Sequence, residues 1–350
     1  MQQRTDVPLA PLTTLRLGGV AKRVVRVDSI EELDQLVKET AAHDEPLLVL
    51  GGGSNVVIAD AGFAGTVVRL GFDAVTVADD AAKGRVLVRV GAGASWDAFV
   101  ERAASEGWSG VECLAGIPGS VGATPMQNVG AYGQDVSETI VEVRTFDRAT
   151  GELAWVSKED CAFAYRSSRF RGTNRFIIVE VVFSLAVDRQ SAPIRYAELA
   201  RALGVTEGER APVDFVRRTV IGLRRGKGMV LDPVDPDTVS AGSFFTNPIV
   251  DRATLVAVEA IAAPGRVPSF PMEDGRVKLA AAWLIERAGF MKGMSRGRVG
   301  ISTKHALALV NRGDATTAEL MALAREIRDG VRAHFGVTLE PEPIFIGCAL

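Results

Sequence analysis

Two stretches of this chain place glycine where a ligand could lie against the main chain. Residues 114–133 read Leu-Ala-Gly-Ile-Pro-Gly-Ser-Val-Gly-Ala-Thr-Pro-Met-Gln-Asn-Val-Gly-Ala-Tyr-Gly, with five glycines, two prolines and no charge. Residues 51–55 read Gly-Gly-Gly-Ser-Asn and follow the apolar run 46–50 directly. Glycine permits turns with positive φ and close approach of a ligand to the backbone. Successive N–H groups in such turns form concavities that attract anions. Together the two loops suggest one extended cofactor, carrying a pyrophosphate and an acceptor-rich ring, held between them. The plain alternative is a long surface loop, but long structureless loops in compact domains are usually functional or disordered.

Three other residues have types suited to chemistry. Arg166 follows Tyr165, and a guanidinium fork can hold a carboxylate or offset developing negative charge. Ser243 stands between Gly242 and Phe244-Phe245. It lacks the Gly-x-Ser-x-Gly setting of an acyl-transfer nucleophile, so its available chemistry is proton donation. Glu340 sits in the proline-restrained run Leu-Glu-Pro-Glu-Pro. Taken singly, the ordinary reading is favoured for Arg166 as a surface arginine and for Ser243 as a turn or cap serine, and Glu340 reads plainly as a solvated loop carboxylate. Two nucleotide folds are excluded by spacing. Gly51-Gly-Gly53 lacks the third glycine of a dinucleotide fingerprint, and Gly91-Ala-Gly93 runs on to Trp96. The 222–228 segment is misspaced for a P-loop and has no Ser or Thr after Lys227.

The elements that must position these residues are legible from periodicity. Short β-branched runs at 22–27, 46–50, 56–58, 66–70, 85–90, 141–146 and 176–185 predict strands. Ser29 followed by Glu32 opens a helix to about residue 42, and Ser95 one to about 105. Further helices are expected at 194–203, 212–225, 253–262, 279–288 and 317–335. Leu320, Leu323, Ala324, Ile327 and Val331 form the inner stripe of the last. Short strands at 299–301 and 308–310 and a C-terminal strand within 339–347 complete the pattern. The glycine-, proline- and aspartate-rich segment 226–237 reads as a loop entering a new domain.

Composition excludes several classes. The chain has 350 residues, 47% of them hydrophobic and 24% charged, with a net charge of −3. No basic patch calls for nucleic acid, and no apolar run is long enough to span a membrane. The first residues carry no apolar leader region, so a cytoplasmic location is expected. Cys113, Cys161 and Cys348 form no Cys-x-x-Cys pair, and His43, His305 and His334 do not cluster, so neither a disulfide framework nor a metal is expected.

Set in order along the chain, these pieces resemble the UDP-N-acetylenolpyruvoylglucosamine reductase family. The matching segments are Thr14 to Gly19, 51–55, 116–133, Tyr165-Arg166-x-Ser168-x-Phe170, 241–248, Val277-Lys-Leu-Ala-Ala281, Trp283-Leu-Ile285, His305-Ala-Leu307 and Leu339-Glu-Pro341. Each motif is weak alone; their joint order is specific and covers nearly the whole chain. The resemblance implies an α+β fold. It consists of a two-lobe FAD-binding unit of the vanillyl-alcohol-oxidase (PCMH) kind and a smaller α+β substrate-binding domain. The expected division is 1–70 with 336–350, 71–225, and 226–335.

The activity implied is NADPH-dependent reduction of UDP-N-acetylglucosamine enolpyruvate to UDP-N-acetylmuramate, acting on small molecules as a monomer. FAD is expected to be noncovalent, since the loops contain no histidine and Cys113 is the only nearby cysteine. By resemblance its contacts are Gly51, Gly52, Gly53, Ser54, Asn55, Ile117, Gly119, Ser120, Gly122, Ala123, Asn128, Gly130, Tyr132 and Gly133. Arg166 and Glu340 would stabilise an enolate and Ser243 would protonate it. Glu340 serves an enolate only if it shares a proton, and burial under Phe244-Phe245 is expected to favour that form. Tyr165, Tyr196, Lys227 and Asn247 would hold the substrate, with Tyr196 closing over its diphosphate as in one branch of the family. The acidic run before Ser243 departs from the family pattern and weakens the Lys227 assignment. The alternative is another FAD-dependent oxidase or dehydrogenase on the same scaffold; a nucleotide-binding module without catalysis is disfavoured by Arg166, Ser243 and Glu340 occurring together.

Overall fold

A computed structural model of the chain describes residues 1–80 and 84–350. They form two compact units: Met1–Val7, Ala21–Gly52 and Ala64–Gly226 in the first, and Pro8–Val20, Gly53–Phe63 and Lys227–Leu350 in the second.

Two larger sheets form the framework of the first unit. The smaller has strands in the order 2–8, 20–27, 63–70 and 47–49, the last two parallel. Helix α1 (Ile30–Ala42) starts where the Ser29 hydroxyl accepts the Glu32 N–H, a cap worth about 1 kcal/mol. Its buried face, Leu33, Leu36 and Val37, joins Val25, Val27 and Val68 in a core shared with Phe146, Ile177 and Val179. Those last three come from the larger sheet, which is antiparallel. Its strands run in the order 153–157, 140–147, 176–187, 85–91 and 75–80, with 108–109 also paired to 176–187. Residues 178, 181, 183 and 185 of the central strand pack with Trp96, Phe99 and Val100 of helix α2 (Trp96–Ser105) in the unit's main core. Helices α3 (Ala197–Leu203) and α4 (Val213–Gly226) add Leu199, Val216 and Val220 to it. Period-2 and period-3.6 burial thus meet on one sheet, as an α+β layer requires.

The second unit holds helices α5 (Arg252–Ala262), α6 (Ala281–Arg287) and α7 (Thr317–Phe335). Helix α7 opens with a complete capping box between Thr316 and Glu319 and ends on Gly336 in the left-handed conformation. Its stripe Leu320, Leu323, Ala324, Ile327 and Val331 packs with Phe244, Leu284, Ile285, Ile301 and Leu309. One four-stranded sheet, ordered 240–243, 308–311, 299–301 and 295–296, carries Ser243 at the end of an outer strand.

This grouping differs from the three-part division expected: residues 8–20, 53–63 and 336–350 cluster with 227–335. The reason is local. Ile344–Ile346 pairs in parallel with Val56–Ile58, and the Thr317 hydroxyl donates to the Ile58 carbonyl at 2.6 Å. Among the described residues no helix is long and apolar enough to cross a membrane, and no group of three or more His, Cys, Asp or Glu could hold a metal ion. Cys113 and Cys161 are buried thiols, while Cys348 is half-buried.

Candidate active site

The glycine loops meet in the first unit. A Cβ on Gly52 would stand 2.6 Å from the Gly119 Cα, and one on Gly51 would stand 2.6 Å from the Ser120 hydroxyl. Gly119 has φ +139°, a conformation closed to other residues. Past it the chain turns onto the sheet. Val121 and Gly122 donate to the Ala94 and Ala92 carbonyls at 2.9 Å, and a Cβ on Gly122 would collide with Ala92 at 2.4 Å. Ile117 is half-buried here, and Ala123 is exposed. Gly53 lies in the second unit, its hydrogens against the Leu12 carbonyl, where a Cβ would come within 2.0 Å. Asn55 donates to the Glu342 carbonyl at 3.4 Å, and Ser54 beside it is half-buried.

Two groups that sequence reasoning missed fix the loop's entry. The Asp97 carboxylate accepts the Gly116 N–H at 2.7 Å, and Arg224 donates to the Gly116 carbonyl at 3.4 Å. Burial lowers the Arg224 pKa from its usual value. Asp97 reads in sequence as a first-turn helix acid, and Arg224 as a last-turn base. Nothing local signals that both reach Gly116.

The rest of the loop is held by the Tyr165–Arg171 turn. Arg166, itself at φ +51°, donates to the Gly130 carbonyl at 2.6 Å and the Asn128 carbonyl at 3.3 Å, and lies 3.4 Å from Asp135. Its guanidinium lies 5.2 Å from the Tyr165 ring centre. The Ser168 hydroxyl donates to the Met126 carbonyl at 2.7 Å. Asn128 is buried and its amide is engaged at both ends, donating to the Ala164 carbonyl and accepting the Ser137 N–H. It therefore shapes the loop. A Cβ on Gly130 would stand 1.6 Å from the Asp135 carboxylate and 2.8 Å from the Arg166 guanidinium, so a side chain there would displace that pair. Gly133, at φ +79°, turns the chain beyond Tyr132. Tyr132 meets Tyr196 edge-on, with ring centres 5.3 Å apart, and burial pushes the Tyr132 hydroxyl up to about 12. Burial raises Tyr196 as well, although its ring is substantially exposed.

In the second unit, Ser243 follows Gly242, whose φ is +72°, at a bulge in its strand. Bulges of this kind re-aim a side chain. Next to it, Phe245 pairs with Pro341, the Thr246 N–H reaches the Glu340 carbonyl at 2.9 Å, and the Glu342 N–H reaches the Phe244 carbonyl at 2.9 Å. Residues far apart in sequence, Ser243 and Glu340, are thereby brought onto adjoining chain segments. The expected burial of Glu340 is corrected: Phe244 and Phe245 are each 1% exposed and turn into the core, leaving the Glu340 side chain exposed. The Thr14 motif finds its reason here, since the Thr14 hydroxyl donates to the Ser240 carbonyl at 2.6 Å. Asn247 accepts the Ala281 N–H at 2.9 Å and so caps helix α6, whose own N-cap Ala280 cannot. Lys227 leads into Gly228, which packs on Asp237.

The UDP-N-acetylenolpyruvoylglucosamine reductase C-terminal domain matches residues 232–346, and the FAD binding domain matches residues 21–157. The reductase of that name from Thermobifida fusca is 56% identical over 99% of this chain and 98% of its own length. The chain belongs to the UDP-N-acetylenolpyruvoylglucosamine reductase family. A second member, from Salinispora arenicola, is 54% identical over 98% of this chain and 95% of its own length. The crystal structure of the family member from Thermus caldophilus is 26% identical, covers 99% of this chain and 98% of its own, and superposes with a TM-score of 0.65. The α+β fold and the FAD-binding part expected from sequence are those of the family. Close packing of Gly51 and Gly52 on Ser120 and Gly119 sets two uncharged, glycine-rich segments side by side, a composition that suits a diphosphate-bearing cofactor.

Proposed function

We infer that the protein reduces UDP-N-acetylenolpyruvoylglucosamine to UDP-N-acetylmuramate with FAD and NADPH, a step of peptidoglycan precursor synthesis. Family membership over the full chain length carries this reading. Bound FAD supplies hydride transfer, from NADPH to the vinyl CH₂ carbon of the substrate. Gly51 and Gly52 with the 117–133 loop are proposed to hold it noncovalently, aided by Gly53, Ser54 and Asn55. The 226–335 segment is proposed to bind the nucleotide substrate.

Addition of hydride to the vinyl carbon leaves negative charge on the neighbouring carbon, next to the substrate carboxylate. Arg166 is suited to oppose that charge, because its bond to the Gly130 carbonyl fixes the cation in advance. Ser243 is suited to deliver the proton that completes the product. A hydroxyl is a weak acid, but an enolate is a strong base. Glu340 is the third proposed catalytic residue, on the segment that pairs with Phe244 to Thr246 beside Ser243. Lys227, Asn247, Tyr165 and Tyr196 are proposed substrate contacts. The exposed ring of Tyr196, resting edge-on against Tyr132, supports its placement in the branch whose tyrosine closes over the diphosphate.

The test is an anaerobic titration of the purified yellow protein. NADPH is expected to bleach it, and UDP-N-acetylglucosamine enolpyruvate to restore the colour without oxygen. Recolouring by oxygen alone would move the assignment to an oxidase on the same scaffold.

A further inference from the structure

The position of Ser243 depends on a turn far along the chain. Its strand pairs with the 308–311 strand at Ser240 with Val310 and at Ser243 with Ala308, with the bulge between. The next N–H, of Phe244, donates to the Leu307 carbonyl at 2.7 Å. Residues 307 and 308 thus set where the hydroxyl stands. They emerge from a turn that begins at Ser302. There the Ser302 N–H donates to the Ala308 carbonyl at 2.8 Å, and the Ser302 hydroxyl accepts the Lys304 and His305 N–H groups at 3.0 and 3.3 Å.

What ties this turn to the body of the unit is a carboxylate. Asp237 is 3% exposed. One of its oxygens accepts the Thr303 N–H at 3.1 Å and the other accepts the Thr303 hydroxyl. Arg312, on the chain leaving the 308–311 strand, lies 3.9 Å from the first oxygen. Asp237 is itself held, since the Asp235 carboxylate accepts its N–H at 3.1 Å and also pairs with Lys304 at 2.6 Å. Behind it packs Gly228, beside Lys227. A buried carboxylate with several donors is costly to disturb, because each lost bond leaves a desolvated group. The acidic run that looked like a departure from the family pattern is therefore a brace.

We propose that Asp237 is a positioning residue for the protonation step: by gripping Thr303 it fixes the 302–308 turn, and through Leu307 and Ala308 it fixes Ser243. The inference rests on the reading of Ser243 as proton donor. It differs from a purely structural role in what it predicts. A displaced donor slows the half-reaction that needs the proton and leaves NADPH oxidation alone, since that half-reaction does not use Ser243.

The experiment uses FAD-loaded Asp237→Asn, Thr303→Val and Thr303→Ser, with bleaching by NADPH and recolouring by the enolpyruvyl nucleotide followed separately by stopped flow. Bleaching is expected within twofold of the unmodified rate in all three. Recolouring is expected to slow about 10- to 100-fold in Asp237→Asn and Thr303→Val, the range for a reacting group displaced by around an ångström. Thr303→Ser keeps the hydroxyl and is expected to recolour normally. Normal recolouring in both Asp237→Asn and Thr303→Val overturns the proposal, as does equal slowing of both half-reactions. If Asp237→Asn does not fold, Thr303→Val against Thr303→Ser decides alone, because that residue is exposed on a turn. An unmodified protein that the nucleotide cannot recolour overturns the functional reading itself, and the positioning role with it.

Discussion

Ser243 and Glu112 show how far a single side chain can be argued. Ser243→Ala keeps the backbone and the bulge, so FAD binding and NADPH oxidation are expected to persist. Reduction of the enolpyruvyl substrate should fall by about 10²–10⁴, the range for a lost general acid. Near-normal turnover would remove Ser243 from the chemistry. Glu112 titrates out of its usual range for a different reason. It is 1% exposed, accepts the Gly110 N–H at 2.6 Å and the Ala192 N–H at 3.0 Å, and burial raises its pKa against those bonds. A carboxyl with a raised folded-state pKa binds more protons folded than unfolded, so its contribution to stability is fully present below about pH 4.5 and is lost as pH rises. Glu112→Gln removes that loss. The melting temperature of the variant relative to the unmodified protein should therefore climb from pH 5 to pH 8, whatever the offset at pH 5; a flat or falling difference would refute the burial argument. Glu112 was not legible in sequence, because a lone acid before Cys113 looks solvated until the fold closes over it.

At the scale of elements, the glycine turns make the sharpest demands. Gly52→Ala would drive a methyl to 2.6 Å from the Gly119 main chain, where neither side can yield without moving the loop. Flavin content on purification is expected to fall, with at least a tenfold weaker FAD affinity on reconstitution. Gly222→Ala is the matched control: it lies in helix α4 with open space around it, so it should keep its flavin and gain up to about 1 kcal/mol from helix propensity. Equal flavin content in the two would show that Gly52 is not part of the cradle. The elements around these turns were legible wherever a period and a cap coincide, as at Ser29 for α1 and Thr316 for α7. The strand at Gln2–Pro8 was not, because Gln-Gln-Arg-Thr-Asp shows no apolar alternation and most of its residues are exposed. The short 3₁₀ turns within 112–127 were hidden too, since their conformation comes from Asp97, Ala92 and Ala94 in other elements. The catalytic candidates became specific only through their order along the chain, as each alone has a bland reading.

For the whole molecule, the arrangement of cores sets how it should unfold. Trp96, Phe183 and Val216 belong to a core within the first unit, and Phe244, Leu309 and Leu320 to one within the second. All the proposed FAD contacts except Gly53, Ser54 and Asn55 lie in the first unit. A ligand stabilises the state that binds it by RT ln(1 + [L]/Kd), about 2.7 kcal/mol at a hundredfold excess over Kd. Calorimetry of the FAD-free protein should therefore show a transition that moves up when FAD is added, and that coincides with loss of flavin signal in the loaded protein. Leu320→Ala deletes a fully buried side chain from the second core and should cost about 2–5 kcal/mol there. If the units unfold separately, this variant lowers the other transition and leaves the FAD-linked one in place. A single transition that responds equally to FAD and to Leu320→Ala would instead mean that the two cores unfold as one cooperative body. Stability gained from the cofactor would then reach Ser243 and Glu340 as well as the loops that hold it.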